Sequence, residues 1–425
     1  MLGKLRLTIL TLSTLVVAYA FVGLVTEKAS AGDEAYRDLA VFTKVVDHVQ
    51  QDYVEPPDMG RAMKGALHGM LEALDPFSSY VDRETFARLS GGDRSGGVGL
   101  SLSKRYGYAY VVAVDEGSPA ERSGLRSGDL VDAIDGSSTV LMSLWEAQQL
   151  LRGPAGTTVK LRVIRMRRSE PQEVVLERVV LRSPGPSARL VEEGVGLLRI
   201  PDFETGTAEA VEAKLTMLLS SGVRGLVVDV RSAAHGNWEE AAAVSSLFLE
   251  PGLEIGRIRG QKGEPEVMLS RGGPKLGGIS VVALVDGGTS GPAEVFAAAL
   301  KDHGVADVVG ERTNGRGSIQ QEFRLADGDV LMISTKLVYR AGGAPLQSEE
   351  PRKSGLSPDV AAPERDFISN FFFEQVSEAD EDEDLDESIY ARLDEAVKKR
   401  QLELAVDHLK RKMSEEPEKI EKKAA

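Results

Sequence analysis

The sequence predicts a multidomain α/β protein: a helical N-terminal segment, a β-rich domain, an open α/β core and a C-terminal helix. Three observations carry this. Residues 183–364 alternate short apolar runs with helix-period segments, the pattern of strands buried on both faces between helices. Residues 91–182 alternate like half-buried strands between Gly-rich turns. Residues 33–90 place apolar side chains at helical intervals.

In chain order, Lys4 and Arg6 precede an uncharged run over 7–25, and "ASAG" (29–32) offers small residues for cleavage after Ala31. Residues 1–31 therefore read as a signal peptide or, because the run is near spanning length, a signal anchor. The expectation is a chain on the extracytoplasmic, periplasmic side of a cell envelope, held at the membrane by this segment. Over 33–90, "YRDLAVFTKVVDHVQQDYV" and "MGRAMKGALHGMLEALD" are helices separated by Pro56 and Pro57, and "DPFSSY" (75–80) is a turn. Over 91–182, "YAYVVAVD", "TTVKLRVIRM" and "QEVVLERVVL" are strands, with short helices at "SPAER" and "SLWEAQQLLRG". The core follows as "VGLLRI", "AEAVEAKLTMLLSSG", "GLVVDV", "EEAAAVSSLFL", "ISVVALVD", "GPAEVFAAALKDHG" and "ADVVG", then the strand "DVLMISTKLVYR". Residues 365–425 hold an acidic linker and a helix. "EQVSEADEDEDLDES" (374–388) carries nine acids and no base and reads as a solvated tail. The helix after it, with Ile389, Leu393, Val397, Leu404 and Leu409 on one side, reads as a docking or dimer element.

Composition narrows the function. A net charge of −15 argues against a nucleic-acid-binding surface. The absence of cysteine excludes disulfides, thiolate catalysis and Cys-based zinc sites. The five histidines (48, 68, 235, 303 and 408) lack metal-ligand spacing, so no metal and no cofactor is expected.

"GVGL", comprising Gly97, Val98, Gly99 and Leu100, followed by "SPAERSGLRSGDLVDAIDG", resembles the PDZ domain family. The resemblance implies that these four residues capture a peptide C-terminal carboxylate on backbone amides, with Leu100 and Leu102 against an apolar last residue. Taken together, residues 41–364 resemble the carboxy-terminal-processing peptidases, or tail-specific proteases. The landmarks are "LDPFSSYV" (the family usually has His at the Phe77 position), "VGLLRIPDF", "GLVVDVR", "VVGERTNGRGSIQ" and "GLSPD". Members use a Ser–Lys dyad: the serine attacks the peptide carbonyl and a neutral lysine takes its proton. A glutamine supports the lysine, and a Gly-rich turn helps to bind the oxyanion.

Carried over, the family elbow "GGSASASE" becomes "GGTSGPAE" (287–294), which puts Gly291 at the nucleophile position. The family's "TFGKGxVQ" becomes "TNGRGSIQ", which puts Arg316 at the base position and keeps Gln320. The oxyanion turn "DLRNNPGG" becomes "DVRSAAHG", keeping Asp229, Arg231 and Gly236 and placing His235 where a glycine stood. Glycine has no nucleophile, and arginine stays protonated. Ser290, one residue early, is the fallback nucleophile, with His235 as its conceivable base and a helix N-cap as its plain role. Arg316 is expected to pair with Glu294 or with a peptide carboxylate.

These readings converge on a dyad-less member that binds peptide C-termini or unfolded polypeptide, or that scaffolds or regulates an active protease relative. Two alternatives stay open: an active serine endopeptidase with a non-standard site, and an architectural subunit that forms a homo-oligomer through its terminal helices.

Overall fold

The computed structural model describes residues 36–362, apart from 106, 166–170, 274, 275, 277, 349, 351 and 352, together with 387–424. The N-terminal apolar run and nearly all of the acidic stretch lie outside the described residues. Among those described, no helix is long and apolar enough to cross a membrane.

Helix α1 spans residues 36–52 and exposes Leu39, Phe42 and Val45. Pro56 and Pro57 separate it from α2 (Met59–Glu72). In the turn that follows, the Asp75 carboxylate accepts the amides of Phe77 and Ser78 and the Ser78 hydroxyl. The turn is shorter than expected, because Ser79–Val81 forms strand β1, with helix α3 (Arg83–Ser90) behind it. Strand β1 joins a five-stranded antiparallel sheet with β11 (Glu254–Gly260), β12 (Glu266–Leu269), β15 (Ser318–Arg324) and β16 (Val330–Arg340). Three residues are too few to show a period, so this long-range pairing was invisible in the sequence.

The β-rich domain is an antiparallel sheet ordered β2 (Leu100–Arg105), β3 (Tyr108–Val114), β4 (Leu130–Ile134), β6 (Thr158–Ile164) and β7 (Gln172–Glu177), with the short β5 (Ser137–Ser138) on β4. Alternate residues of β6 are buried, as its sequence pattern requires. Helices α4 (Pro119–Arg122) and α5 (Leu144–Leu150) both have serine N-caps, and α5 carries a full capping box from Ser143 and Glu146. Leu102, Val111, Ile134, Leu161 and Leu176 fill the interior.

The core sheet is ordered β17 (Val360–Ala361), β14 (Ala306–Gly310), β13 (Ser280–Val285), β10 (Gly225–Asp229), β9 (Val195–Arg199) and β8 (Ser187–Glu192). All neighbours are parallel except the β8–β9 pair. Strands β10 and β13 are buried along their whole length, as expected of strands covered on both faces. Helices α6 (Thr207–Ser220), α7 (Trp238–Ser246) and α8 (Pro292–Asp302) cover one face, around Phe203, Phe248 and Phe296.

The other face is covered by the C-terminal helix, Glu387–Ala424. Its Ala405, Val406 and Leu409 pack on Val227, Val282 and Leu284. The helix read as a docking or dimer element therefore docks on its own sheet: the apolar side that looked unpartnered in sequence has a partner some 100–200 residues earlier in the chain. Leu409 is fully buried. Leu409→Ala should lower the unfolding free energy by about 2–5 kcal/mol in denaturant titration. A change below about 0.5 kcal/mol would mean that the helix does not close the sheet.

Candidate functional site

The site begins where β13 ends. The Asp286 carboxylate accepts the Ser232 amide (2.7 Å) and hydroxyl (3.1 Å), the Gly288 amide (3.0 Å) and the Thr289 hydroxyl (3.2 Å). These bonds fold "DGGTS" into a tight turn against residues 230–236. The Ser290 amide donates to the Ala233 carbonyl (2.9 Å). Gly291 then adopts φ 62°, ψ −118° and serves as the N-cap of α8. This is a left-handed, strained conformation that a side chain enters at a cost. A strand, a sharp turn and a helix entered through such a residue make the elbow that presents a nucleophile in other folds.

Glu294, fully buried in the first turn of α8, ties the elbow to the loop after β14. One carboxylate oxygen accepts the Thr313 hydroxyl and the Gly315 amide (2.7 Å). The other accepts the amides of Gly291 (2.8 Å) and Arg316 (2.9 Å). Burial pushes the Glu294 carboxyl up, and the four donors offset part of that rise. The consequence is positional: a Cβ on Gly291 would lie 3.9 Å from the Arg316 carbonyl oxygen, so residues 291 and 316 are neighbours. The expected Arg316–Glu294 ion pair is replaced by this backbone bond, since the four donors already fill the carboxylate. The Arg316 guanidinium lies over the Phe77 ring, 5.7 Å from its centroid.

Ser290 is not the helix cap, because Gly291 takes that position. Its side chain is 2% exposed, and its Oγ accepts the Asn314 side-chain amide at 3.0 Å. An amide N–H cannot take the hydroxyl proton. Asn314 is held in turn by the Tyr110 hydroxyl of the β-rich domain (2.8 Å).

His235 faces the β-rich domain. Its Nε2 lies 3.0 Å from Asp115 Oδ1 and 3.2 Å from Ser101 Oγ. This supplies a carboxylate that the sequence had not revealed. The serine and the carboxylate nevertheless meet the same ring nitrogen, whereas a base oriented for catalysis uses both nitrogens. Burial alone would lower the His235 imidazole, but the hydrogen bond and charge of Asp115 outweigh it and the net direction is up.

Gly236, next to it, bridges to Phe203. Asp229 is buried and grips Arg231 through both oxygens (3.0 and 2.7 Å). Burial would raise the Asp229 carboxyl, yet Arg231 and Arg199 hold it down to about 2. Gln320 bonds the hydroxyls of Ser318 (2.8 Å) and Ser334 (3.1 Å) rather than residue 316.

In the 97–100 loop, the Gly97 amide donates to the Val179 carbonyl (2.9 Å) and the Val98 carbonyl accepts the Ala120 amide (3.0 Å). Gly99 has φ 79°, and a Cβ there would stand 2.1 Å from Ser118 Cβ. Leu100 is half-buried, while Leu102 belongs to the interior of the domain and is not open to a ligand. A cavity of about 760 Å³ between this domain and the core is lined by Asp115, Glu121, Arg152, Arg199, Arg231 and His235. Gly291 and Arg316 are not among its lining residues.

Sequence reasoning missed Asn314, Tyr110 and Asp115. The first was findable, because "TNGRG" has Asn where the family string has Phe. The other two sit in ordinary strand positions and carry no sequence signal.

Comparison with known proteins agrees with this architecture. Residues 194–362 match Peptidase family S41, residues 110–165 a PDZ domain, and residues 20–85 the activating protease CtpB N-terminal domain. The chain is 31% identical over 335 residues to a carboxy-terminal-processing protease of Bartonella bacilliformis, covering 76% of this chain and 75% of the relative. It is 29% identical to the carboxy-terminal processing protease CtpA of Bacillus subtilis, covering 84% and 77%. Among solved structures, a photosystem II D1 C-terminal processing protease aligns with a TM-score of 0.62 at 27% identity, over 75% of this chain and 86% of that one.

The His235–Asp115 contact has a pH signature. Its folded-state pKa is raised, so its contribution is complete below the ordinary histidine value (~6.5) and is lost as pH rises through the folded value. The His235 side chain is 40% exposed, which keeps the effect below about 1 kcal/mol. Asp115→Asn should destabilise the protein at pH 6 and change little at pH 9 in thermal unfolding. Equal losses at both would contradict the ion pair.

Proposed function

The chain belongs to the carboxy-terminal-processing proteases of peptidase family S41, and on that premise we propose that it is a proteolytically inactive member. Its work is binding: of peptide C-termini or unfolded polypeptide through the PDZ domain, or of an active protease relative that it scaffolds or regulates. One observation carries the reading. The residue at the turn of the elbow is Gly291, and the hydroxyl beside it, on Ser290, is buried against an amide donor. Arg316, its neighbour across Glu294, stays protonated at any physiological pH and cannot act as base. The altered turn supports the same conclusion, because His235 is engaged with Asp115.

Residues 1–31 support an exported chain, with Lys4 and Arg6 on the cytoplasmic side. Protease added to spheroplasts should digest everything after the anchor, and protection of the whole chain would contradict export.

The full-length protein should release no fragments from an unfolded substrate followed by mass spectrometry. Turnover that disappears in Ser290→Ala would overturn the reading. Gly291→Ser with Arg316→Lys should gain measurable turnover, since the nearest atoms to a Cβ at 291 are 3.8 and 3.9 Å away. The serine should cost about 1–3 kcal/mol of stability at φ 62°. Restoring Asn-Asn-Pro-Gly at 232–235 should add a further factor, one oxyanion donor being worth roughly 100- to 1000-fold.

A further inference from the structure

We propose that Arg316 anchors a carboxylate site beside Gly291, and that its ligand is the free C-terminal carboxylate of a peptide. The proposal rests on the reading that the elbow does not hydrolyse peptides, and it names what the elbow holds instead.

The first observation is the state of the guanidinium. Arg316 is half-buried, yet among the described residues its side chain makes no hydrogen bond and no ion pair, and its one aromatic neighbour there is Phe77. Other partly buried arginines of the core are gripped by carboxylates: Arg231 by Asp229 and Arg340 by Asp302. The nearby Glu294 cannot serve Arg316, because Thr313, Gly291, Gly315 and the Arg316 amide itself occupy it. Burial lowers the Arg316 pKa, which reflects a charge short of solvation. A partly desolvated cation without a counter-ion is an unfavourable arrangement that an anion relieves. The guanidinium fork fits the two oxygens of a carboxylate in a way that a lysine cannot.

The second observation is space. At Gly291 a Cβ would meet only Trp238 (3.8 Å) and the Arg316 carbonyl (3.9 Å), both at ordinary contact distance. The missing side chain thus leaves room for one further carbon, at ordinary contact distance, where the elbow borders Trp238. Phe77 lies under the fixed positive charge, and Trp238 borders the neighbouring Gly291. That favours a carboxylate carried on an apolar residue over a small hydrated anion. With no hydroxyl at 291, a bound C-terminus meets no nucleophile at that position.

Trp238 makes the site measurable. The chain has two tryptophans, and Trp145 is stacked on Phe86 in the PDZ region. In a full-length Trp145→Phe background, N-acetyl-trialanine with a free carboxylate should produce a saturable change in Trp238 fluorescence, while the C-terminal amide should not. Arg316→Gln should weaken the response at least ten-fold, and Arg316→Lys should weaken it less. Unchanged circular dichroism would establish that both variants fold. Gly291→Ser should also weaken binding by filling the space. An equal response to the amide, or an unchanged response in Arg316→Gln, would overturn the proposal. Acetate binding as tightly as the peptide would overturn the assignment of the ligand as a peptide. Shorter fragments in the mass spectrum of the same samples would overturn the inactive reading alone, without touching the carboxylate site.

Discussion

A single buried carboxylate sets the geometry of this protein's central site. Glu294 offers four acceptor positions and fills them with donors from the elbow and from the 313–316 loop. Three of the four are backbone amides, so the joint is indifferent to which side chains residues 291 and 316 carry. On the proposed reading, that lets the site keep the form of a hydrolase without its reactive groups. Removing Glu294 would strand three buried amides, each costing about 1–3 kcal/mol. Replacing a nucleophile by glycine strands nothing and relieves the strain at φ 62°. The scaffold and the chemistry are separable because different atoms hold them.

Several positions that depart from the family pattern share a second property: they touch something on the PDZ side of the elbow. Phe77 packs against the interior of the PDZ domain and lies under Arg316. Asn314 links Tyr110 to Ser290. His235 holds Asp115 and Ser101. Ala234, in the altered turn, packs on Val112 and Ala113. Together these contacts seat the domain on the elbow.

Much of this was legible in the sequence, for physical reasons. Strands β10 and β13 are buried on both faces, so their apolar runs announced them. The β6 alternation and the serine caps of α4 and α5 were local signals of the same kind. Gly291 and Arg316 were singled out through the resemblance, and the fold makes them neighbours. What stayed hidden depends on distant partners. Strand β1 pairs with β16 some 250 residues later, and three residues have no period to read. The C-terminal helix showed its apolar side but not the sheet it covers. Asp115 is one acid among many until the fold brings His235 to it. The N-cap shifted from Ser290 to Gly291 because the strained turn, rather than side-chain capping preference, decides where α8 begins.

The central claim is that the elbow keeps its shape and lacks an activated hydroxyl. Incubation with a serine-directed organophosphorus fluoride, read by intact mass and peptide mapping, tests it most directly. The account predicts no adduct on the wild-type chain and an adduct at position 291 in the Gly291→Ser/Arg316→Lys variant. An adduct on Ser290 of the wild-type protein would contradict it.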